Sequence, residues 1–359
     1  MTNGLTINHQ HYNVIQLIEV AEARCNDANI PTWEMNIYRF ILDWFDGTPY
    51  ITQKTSGSTG AAKEIKLAKS SMIASAKKTI EFFGLQKNDT VLLCLPTHYI
   101  AGKMMIVRAL VGNLNLIYID PKSTPDITDE KIAFAAMVPI QIQKLIETEN
   151  FCQNIEKLII GGAEISGSLH KSIQKLTPQV YSTYGMTETC SHIAVQRING
   201  ENQDKYFNVL NGIEVTTNEL GCLKIDAPLL LPEPIQTTDL VEIIDEKHFS
   251  WLGRTDNVIN SGGIKISPEQ LEKEINEIIP CDFIISSVKD SLLGNKAILV
   301  IEGYEDEHSS AEILEKMKAK VGSHRCPKEV LFLHQFPRNR SMKIDRKVVS
   351  IAINSGRNL

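Results

Sequence analysis

Nine consecutive residues, Thr55-Ser56-Gly57-Ser58-Thr59-Gly60-Ala61-Ala62-Lys63, bring together two glycines, four hydroxyl side chains and a lysine. Glycine lets backbone N–H groups turn toward an anion, the hydroxyls add donors, and Lys63 adds positive charge. That is the chemistry of a phosphate cradle; the plainer alternative is a flexible Ser/Thr/Gly linker. The common nucleotide P-loop is excluded, because it places lysine directly after its last glycine, whereas here the spacing is G-x-x-G-x-x-K.

Four further segments carry reactive groups. Tyr184-Gly185-Met186-Thr187-Glu188-Thr189 follows the strand-like Gln179–Ser182, so a glycine turn there presents a ring, a hydroxyl and a carboxylate to one cleft, or else is a packed turn with a solvated glutamate. In Thr237-Thr238-Asp239-Leu240 the aspartate is either a turn former or an acceptor for ribose hydroxyls. Gly253-Arg254-Thr255-Asp256 leads into a loop containing Gly262-Gly263, where paired glycines allow a ligand to approach or the backbone to swing, or simply close a hairpin. Pro337–Arg346 is a basic stretch containing Lys343, and such runs are usually solvated.

These groups need a scaffold. The 359 residues exceed what one core usually fills, and 43% hydrophobic with 22% charged residues describes a packed protein rather than a disordered one. Short apolar runs at Val91–Leu95, Leu114–Ile119 and Leu158–Ile160 read as buried strands. Between them lie helical patterns at Ser70–Phe83, closed by Gly84, and at Ser166–Leu176. The expected class is α/β, as a large multi-layer domain over residues 1–253. From Ile264 the order becomes β-α-β-β-α-β, with Ser267 and Gln270 expected to form a capping box, which predicts a small α+β domain over 254–359.

A net charge of −6 argues against a nucleic-acid-coating surface. No apolar run reaches membrane-spanning length, and Met1–Arg24 lacks a signal-peptide pattern. Seven scattered cysteines (25, 94, 152, 190, 222, 281, 326) form no metal-binding spacing and read as reduced thiols of a cytoplasmic protein.

Taken in order, the motifs resemble those of the adenylate-forming superfamily of acyl-CoA synthetases, aryl-acid ligases and carrier-protein adenylation domains. The phosphate loop [ST]-S-G-[ST]-T-G-x-P-K-G is similar to Thr55–Lys63, Y-G-x-T-E to Tyr184–Glu188, and T-G-D-L to Thr237–Leu240. The hinge G-R-x-D matches Gly253–Asp256, the terminal P-x-x-x-S-G-K matches Pro337–Lys343, and the adenine-side G-G-A matches Gly161-Gly162-Ala163. The chain departs from the pattern at Ala62, Glu64 and Met342, and only 54 residues precede the loop, so the large domain is expected to be N-terminally shortened.

The resemblance implies ATP, Mg²⁺ and CoA as reaction partners for a carboxylic acid. It implies that Ser56–Lys63 hold the β- and γ-phosphates, Glu188 helps hold Mg²⁺, Thr187 touches the α-phosphate and Tyr184 stacks on adenine. Asp239 and Arg254 would bind ribose, and Lys343 would bridge the acid and the α-phosphate. The small domain would then be mobile about Asp256, bringing Gly262-Gly263 to the thiol channel. Within the superfamily, Tyr184–Ser191 looks most like the o-succinylbenzoate–CoA ligases of menaquinone biosynthesis. Leu95–Gly102 resembles the acyl-pocket motif with aromatic and histidine interchanged, so either His98 or Tyr99 faces the substrate. Arg108, amid the apolar Met104–Val111, falls where related ligases carry a substrate-binding cation, unless it snorkels from an amphipathic helix. Ser191 and His192 are further candidate donors. Two other readings are an enzyme that loads a carrier protein and a shortened, inactive nucleotide-binding homologue. An oligomer is compatible with all three.

Overall fold

The computed structural model describes residues 4–55, 63–127, 129–148, 153–163, 165–304, 309–338 and 344–355. The chain begins with β1 (Leu5–Ile7), β2 (Gln10–Tyr12), α1 (Val14–Cys25) and α2 (Thr32–Phe45). A separate hairpin of β3 (Tyr50–Thr55) and β4 (Lys63–Ala68) follows, paired from Tyr50↔Ala68 to Thr55↔Lys63. Then come α3 (Lys69–Phe83), β5 (Thr90–Leu93), α4 (Ile100–Gly112), β6 (Asn115–Tyr118), β7 (Ile132–Met137), α5 (Pro139–Glu147), β8 (Ile155–Ile160), α6 (Gly167–Ile173) and β9 (Gln179–Gly185). Gly84 ends α3 in the left-handed conformation that the sequence requires of it.

Strands β1, β6, β5, β7, β8 and β9 lie side by side and parallel. Their apolar runs are buried on both faces, as βαβ crossovers demand. Val91, Leu93, Phe134 and Ala136 face the core under α3 and α4, and Leu92, Ala135, Met137 and Leu158 face a second core with Ile142 of α5 and Ile173 of α6. The same sheet continues antiparallel through β10 (His192–Arg197), β11 (Phe207–Val209), β12 (Glu214–Thr217), β13 (Cys222–Asp226), β14 (Ile235–Asp245) and β15 (His248–Arg254).

Beyond β15, a smaller sheet comprises β16 (Ile259–Ser261), β17 (Ile264–Ile266), β18 (Phe283–Asp290), β19 (Gly294–Glu302) and β20 (Val330–Leu333). Helices α7 (Pro268–Ile275) and α8 (Ser310–Val321) contribute Leu271, Ile275 and Met317 to one core of this unit. Helix α9 (Arg346–Ser355) contributes Val349 to another, so a mixed α/β large sheet is followed by a smaller α+β unit.

Three local expectations are revised. The Ser267 capping box does not form: Ser267 Oγ donates instead to Leu252 O at 2.9 Å, tying the start of α7 to β15. Tyr184 and Gly185 belong to β9 itself, and the turn begins at Met186. Thr237–Leu240 is no turn but part of the eleven-residue β14, where Thr237, Thr238, Val241 and Ile243 supply β-branched side chains. Among the described residues no helix is long and apolar enough to cross a membrane.

Candidate active site

The carboxyl ends of parallel strands are where open α/β sheets bind ligands, because the helices diverge there. Three candidate segments leave the sheet at that end: Leu95–Tyr99 after β5, Gly161–Ala163 after β8, and Met186–Ser191 after β9. Helix α4 packs tightly on the first of them. A Cβ on Gly102 would lie 2.5 Å from Pro96 O, so only glycine admits that approach. Gly185, the last residue of β9, plays the same part there, where a Cβ would meet Ser191 O at 2.4 Å.

The turn after β9 is held by Thr189, whose buried Oγ1 lies 3.1 Å from Met186 N as acceptor and 2.7 Å from Ser191 O as donor. Cys190 adopts a left-handed φ of 62° and its N–H donates to Thr187 O at 2.9 Å. Thr187 is half-buried and Glu188 exposed, so the carboxylate projects from the rim of the sheet.

Asp239 is buried between the two halves of the large sheet. Tyr184 Oη donates to its Oδ2 at 2.7 Å, while Trp251 Nε1 and Arg254 Nη1 reach Oδ1 at 3.3 and 3.4 Å. Burial, and then the Asp239 charge, push the Tyr184 phenol pKa far up, so it remains a donor. Phe207 and Phe249 pack against the Tyr184 ring. Arg254 also donates to Asp256 Oδ2 at 2.9 Å and to Thr238 Oγ1 at 2.6 Å. Asp239, Arg254 and Asp256 thus form one connected group.

Arg108 is 2% exposed on α4, between β5 and the turn after β9. Its Nη2 donates to Ser191 Oγ at 2.6 Å and its Nη1 to Met105 Sδ at 3.4 Å, while Nε has no acceptor. Among the described residues no carboxylate pairs with it, and burial alone lowers its pKa. Snorkelling is therefore ruled out. His192 lies beside Ser191 (Nδ1 to Oγ, 3.2 Å), and burial followed by the Arg108 charge hold its pKa well below the usual imidazole value.

His98 and Tyr99 lie next to each other, with ring centroids 4.1 Å apart; His98 is exposed and Tyr99 half-buried. The His98 carbonyl accepts from Gln53 Nε2 at 2.9 Å, which joins this turn to β3. Gly262 and Gly263 form the β16–β17 turn, with the Gly262 N–H on Leu293 O at 3.0 Å. Ser56, Gly57, Ser58, Thr59, Gly60 and Lys343 lie outside the described residues; Thr55 ends β3 and Lys63 begins β4. Sequence reasoning did not single out Trp251, Thr79 or Gln53. Their partners come from sheet pairing and helix packing, which leave no signal in local spacing.

A family profile described as AMP-binding enzyme matches residues 46–230, just over half of the chain. The chain belongs to the AMP-binding enzyme family. Among solved structures, this AMP-binding enzyme is similar to an acyl-CoA synthetase (AMP-forming)/AMP-acid ligase II-like protein from Dyadobacter fermentans. That likeness has 32% identity, a TM-score of 0.62, and covers 93% of this chain and 97% of the other. It also shares its fold with wild-type E. coli MenE bound to an analogue of OSB-AMS, at a TM-score of 0.73 and 17% identity over 98% and 96% of the two chains. Among curated proteins, a 2-succinylbenzoate–CoA ligase of Staphylococcus epidermidis is 26% identical over 337 residues, covering 85% of this chain and 70% of that protein.

Proposed function

We propose that this AMP-binding enzyme is an AMP-forming acid–CoA ligase whose acid is 2-succinylbenzoate. The observation that carries the choice of acid is Arg108, a buried guanidinium without a carboxylate partner among the described residues. A buried charge is costly until it is paired, and an arginine fork matches a carboxylate. An acid with a second, non-reacting carboxylate supplies the missing partner, and the relatives named 2-succinylbenzoate–CoA ligase act on such an acid.

In the first step a carboxylate oxygen of the acid attacks the α-phosphorus of ATP, and the bond to the β-phosphate oxygen breaks to release pyrophosphate. In the second, a CoA thiolate attacks the acyl carbon and the C–O bond to AMP breaks. Positioning and stabilisation of charge at phosphorus are the protein's tasks in the first step. Thr55–Lys63 cradle the leaving phosphates, Thr187 contacts the α-phosphate, and Lys343 bridges it to the acid. Gly161–Ala163 and Tyr184 border adenine, Asp239 and Arg254 hold ribose, and His98 or Tyr99, with Ser191, line the acid.

The described residues contain no cluster of three or more His, Cys, Asp or Glu suited to a metal ion. That fits Mg²⁺, which is commonly held by one carboxylate plus substrate phosphates. Glu188 is the exposed carboxylate for that role, and the ion would neutralise charge on the departing pyrophosphate. We place the domain boundary between residues 253 and 254, with Asp256 as hinge and Gly262-Gly263 beside the thiol path. Among the described residues, the free cysteines 25, 94, 190, 222 and 326 suit a reducing cytoplasm.

The test is product analysis by mass spectrometry with ATP, a panel of carboxylic acids, and CoA present or absent. A 2-succinylbenzoyl-CoA product and AMP are expected. Turnover only with a carrier protein would replace CoA as the acceptor, and no turnover with any acid would overturn the reading.

A further inference from the structure

A chain of four hydrogen bonds runs from Arg108 into the helix that follows the glycine loop. Arg108 Nη2 lies 2.6 Å from Ser191 Oγ, Ser191 Oγ 3.2 Å from His192 Nδ1, His192 Nε2 3.2 Å from Thr79 Oγ1, and Thr79 Oγ1 3.2 Å from Ser75 O. Thr79 and His192 are buried. The carbonyl end and a neutral ring together set the direction of each proton, because a carbonyl only accepts and a neutral imidazole has one donor and one acceptor nitrogen. Thr79 donates to Ser75 O, so its oxygen accepts the His192 Nε2 hydrogen. The neutral ring then accepts at Nδ1 from the Ser191 hydroxyl, whose oxygen itself accepts from Arg108. Four hydrogens meet four acceptors. The opposite tautomer would aim the Nδ1 hydrogen at Ser191 and leave Nε2 without a donor.

We infer that Thr79 is a positioning residue that sets acid specificity by locking His192 as the neutral Nε2–H tautomer. This rests on the reading of Arg108 as the site of the non-reacting carboxylate. With the lock in place, Arg108 is the single charge in this chain and the Ser191 proton is turned away from it. Ser191 then offers Arg108 a lone pair only, so the anion that completes the guanidinium must come from the acid. A ligand ending in a neutral amide leaves the charge uncompensated. Without the Thr79 oxygen, the ring is free to move its hydrogen to Nδ1. Ser191 then accepts from the ring and its own proton is released toward the ligand. A carboxylate there gains a charge-assisted donor beside Arg108, so the preference for an anion over a neutral amide strengthens.

The experiment compares wild type, Thr79→Val and Thr79→Ser. Ring nitrogens of ¹⁵N-histidine-labelled protein are observed by NMR without substrate, the His192 signals being assigned by their loss in His192→Gln. The Nε2–H tautomer is expected in wild type and T79S and its loss in T79V. The kcat/KM ratio of 2-succinylbenzoate over the analogue with its non-reacting carboxylate replaced by an amide should rise by up to about 10-fold in T79V, the weight of the hydrogen bond that the freed Ser191 hydroxyl gives to the charged group. T79S should restore the wild-type ratio, with the KM for ATP unchanged throughout. An imidazolium or Nδ1–H ring in wild type, or a ratio in T79V that is unaltered or lower, would overturn the inference. The NMR readout needs no substrate. Wild type that carries the Nε2–H ring yet rejects 2-succinylbenzoate would therefore overturn the assigned acid, and the specificity role with it, while leaving the tautomer lock standing.

Discussion

Tyr184 Oη donates to Asp239 Oδ2 at 2.7 Å, joining the last parallel strand of the large sheet to β14 in its antiparallel half. The bond puts a ring that borders the proposed adenine site and a carboxylate assigned to ribose into one rigid unit. Tyr184→Phe removes it while leaving the ring packed on Phe207 and Phe249. Asp239 keeps Trp251 and Arg254 as donors, so the loss is one hydrogen bond to a charged acceptor, about 1.5 kcal/mol, or ~10-fold. The expected result is a rise of that size in the KM for ATP with little change in kcat, read from initial rates of pyrophosphate release. A fall in kcat at unchanged KM would remove Tyr184 from nucleotide positioning.

Arg108→Met separates function from stability. The substitution removes the proposed carboxylate partner, so the KM for 2-succinylbenzoate should rise at least ~30-fold, in keeping with the ~2–5 kcal/mol that truncating a buried charge pair costs. The free protein should nevertheless become no less stable, because a buried charge lacking a counter-ion among the described residues is replaced by an apolar chain of similar length. Thermal unfolding without ligand checks this: a Tm at or above wild type is expected, and a marked drop would show that Arg108 has a structural role.

Much of the scaffold was legible in the sequence. Buried parallel strands announce themselves as apolar runs, which is why β5, β6 and β8 stand close to where Val91, Leu114 and Leu158 place them. Gly84 and the start of α6 at Ser166 follow from local chemistry alone. Asp239 did not: threonines and an aspartate look like a turn, and what makes them a strand is pairing with β15, where Asp239 stands opposite Arg254. The same holds for Trp251 and Thr79. Each is a common residue in a common setting, and only the tertiary neighbours, Asp239 for one and His192 for the other, give it a task.

Acid should weaken the fold through His192. Its folded-state pKa lies well below the ordinary 6.5, owing first to burial and then to the Arg108 charge. Between those two values the unfolded chain binds a proton that the folded chain refuses, so stability falls as pH drops below about 6.5. The slope reaches at most about 1.4 kcal/mol per pH unit for this one group. Urea titrations of wild type and His192→Gln between pH 5 and 8 isolate the contribution. The wild type should lose stability relative to the variant as pH falls, with no such trend above pH 7. Parallel curves across the range would mean that His192 does not titrate as described.

Lys343 supplies the clearest division between the two proposed half-reactions. Residues on both sides of it are anchored to the small unit: Arg338 Nη2 reaches Asp282 and Glu302 at 2.8 and 2.9 Å, and Arg346 forms a two-pronged pair with buried Glu272 of α7. On the proposed reading the lysine is delivered by the small unit, separate from the large domain that carries Arg108 on α4 and Asp239 on β14. Attack of the acid on ATP needs its charge between two anions, whereas attack of a thiolate on the adenylate does not. Lys343→Ala should therefore lower the rate of adenylate formation at least ~100-fold, in line with the loss of one preorganised electrostatic contact. Thioester formation from supplied acyl-adenylate should stay within about 3-fold of wild type, a difference under 1 kcal/mol. Single-turnover assays of each step decide it. Equal impairment of both would mean that the lysine serves the thiol step too, and that delivery and withdrawal by the small unit do not separate the two reactions.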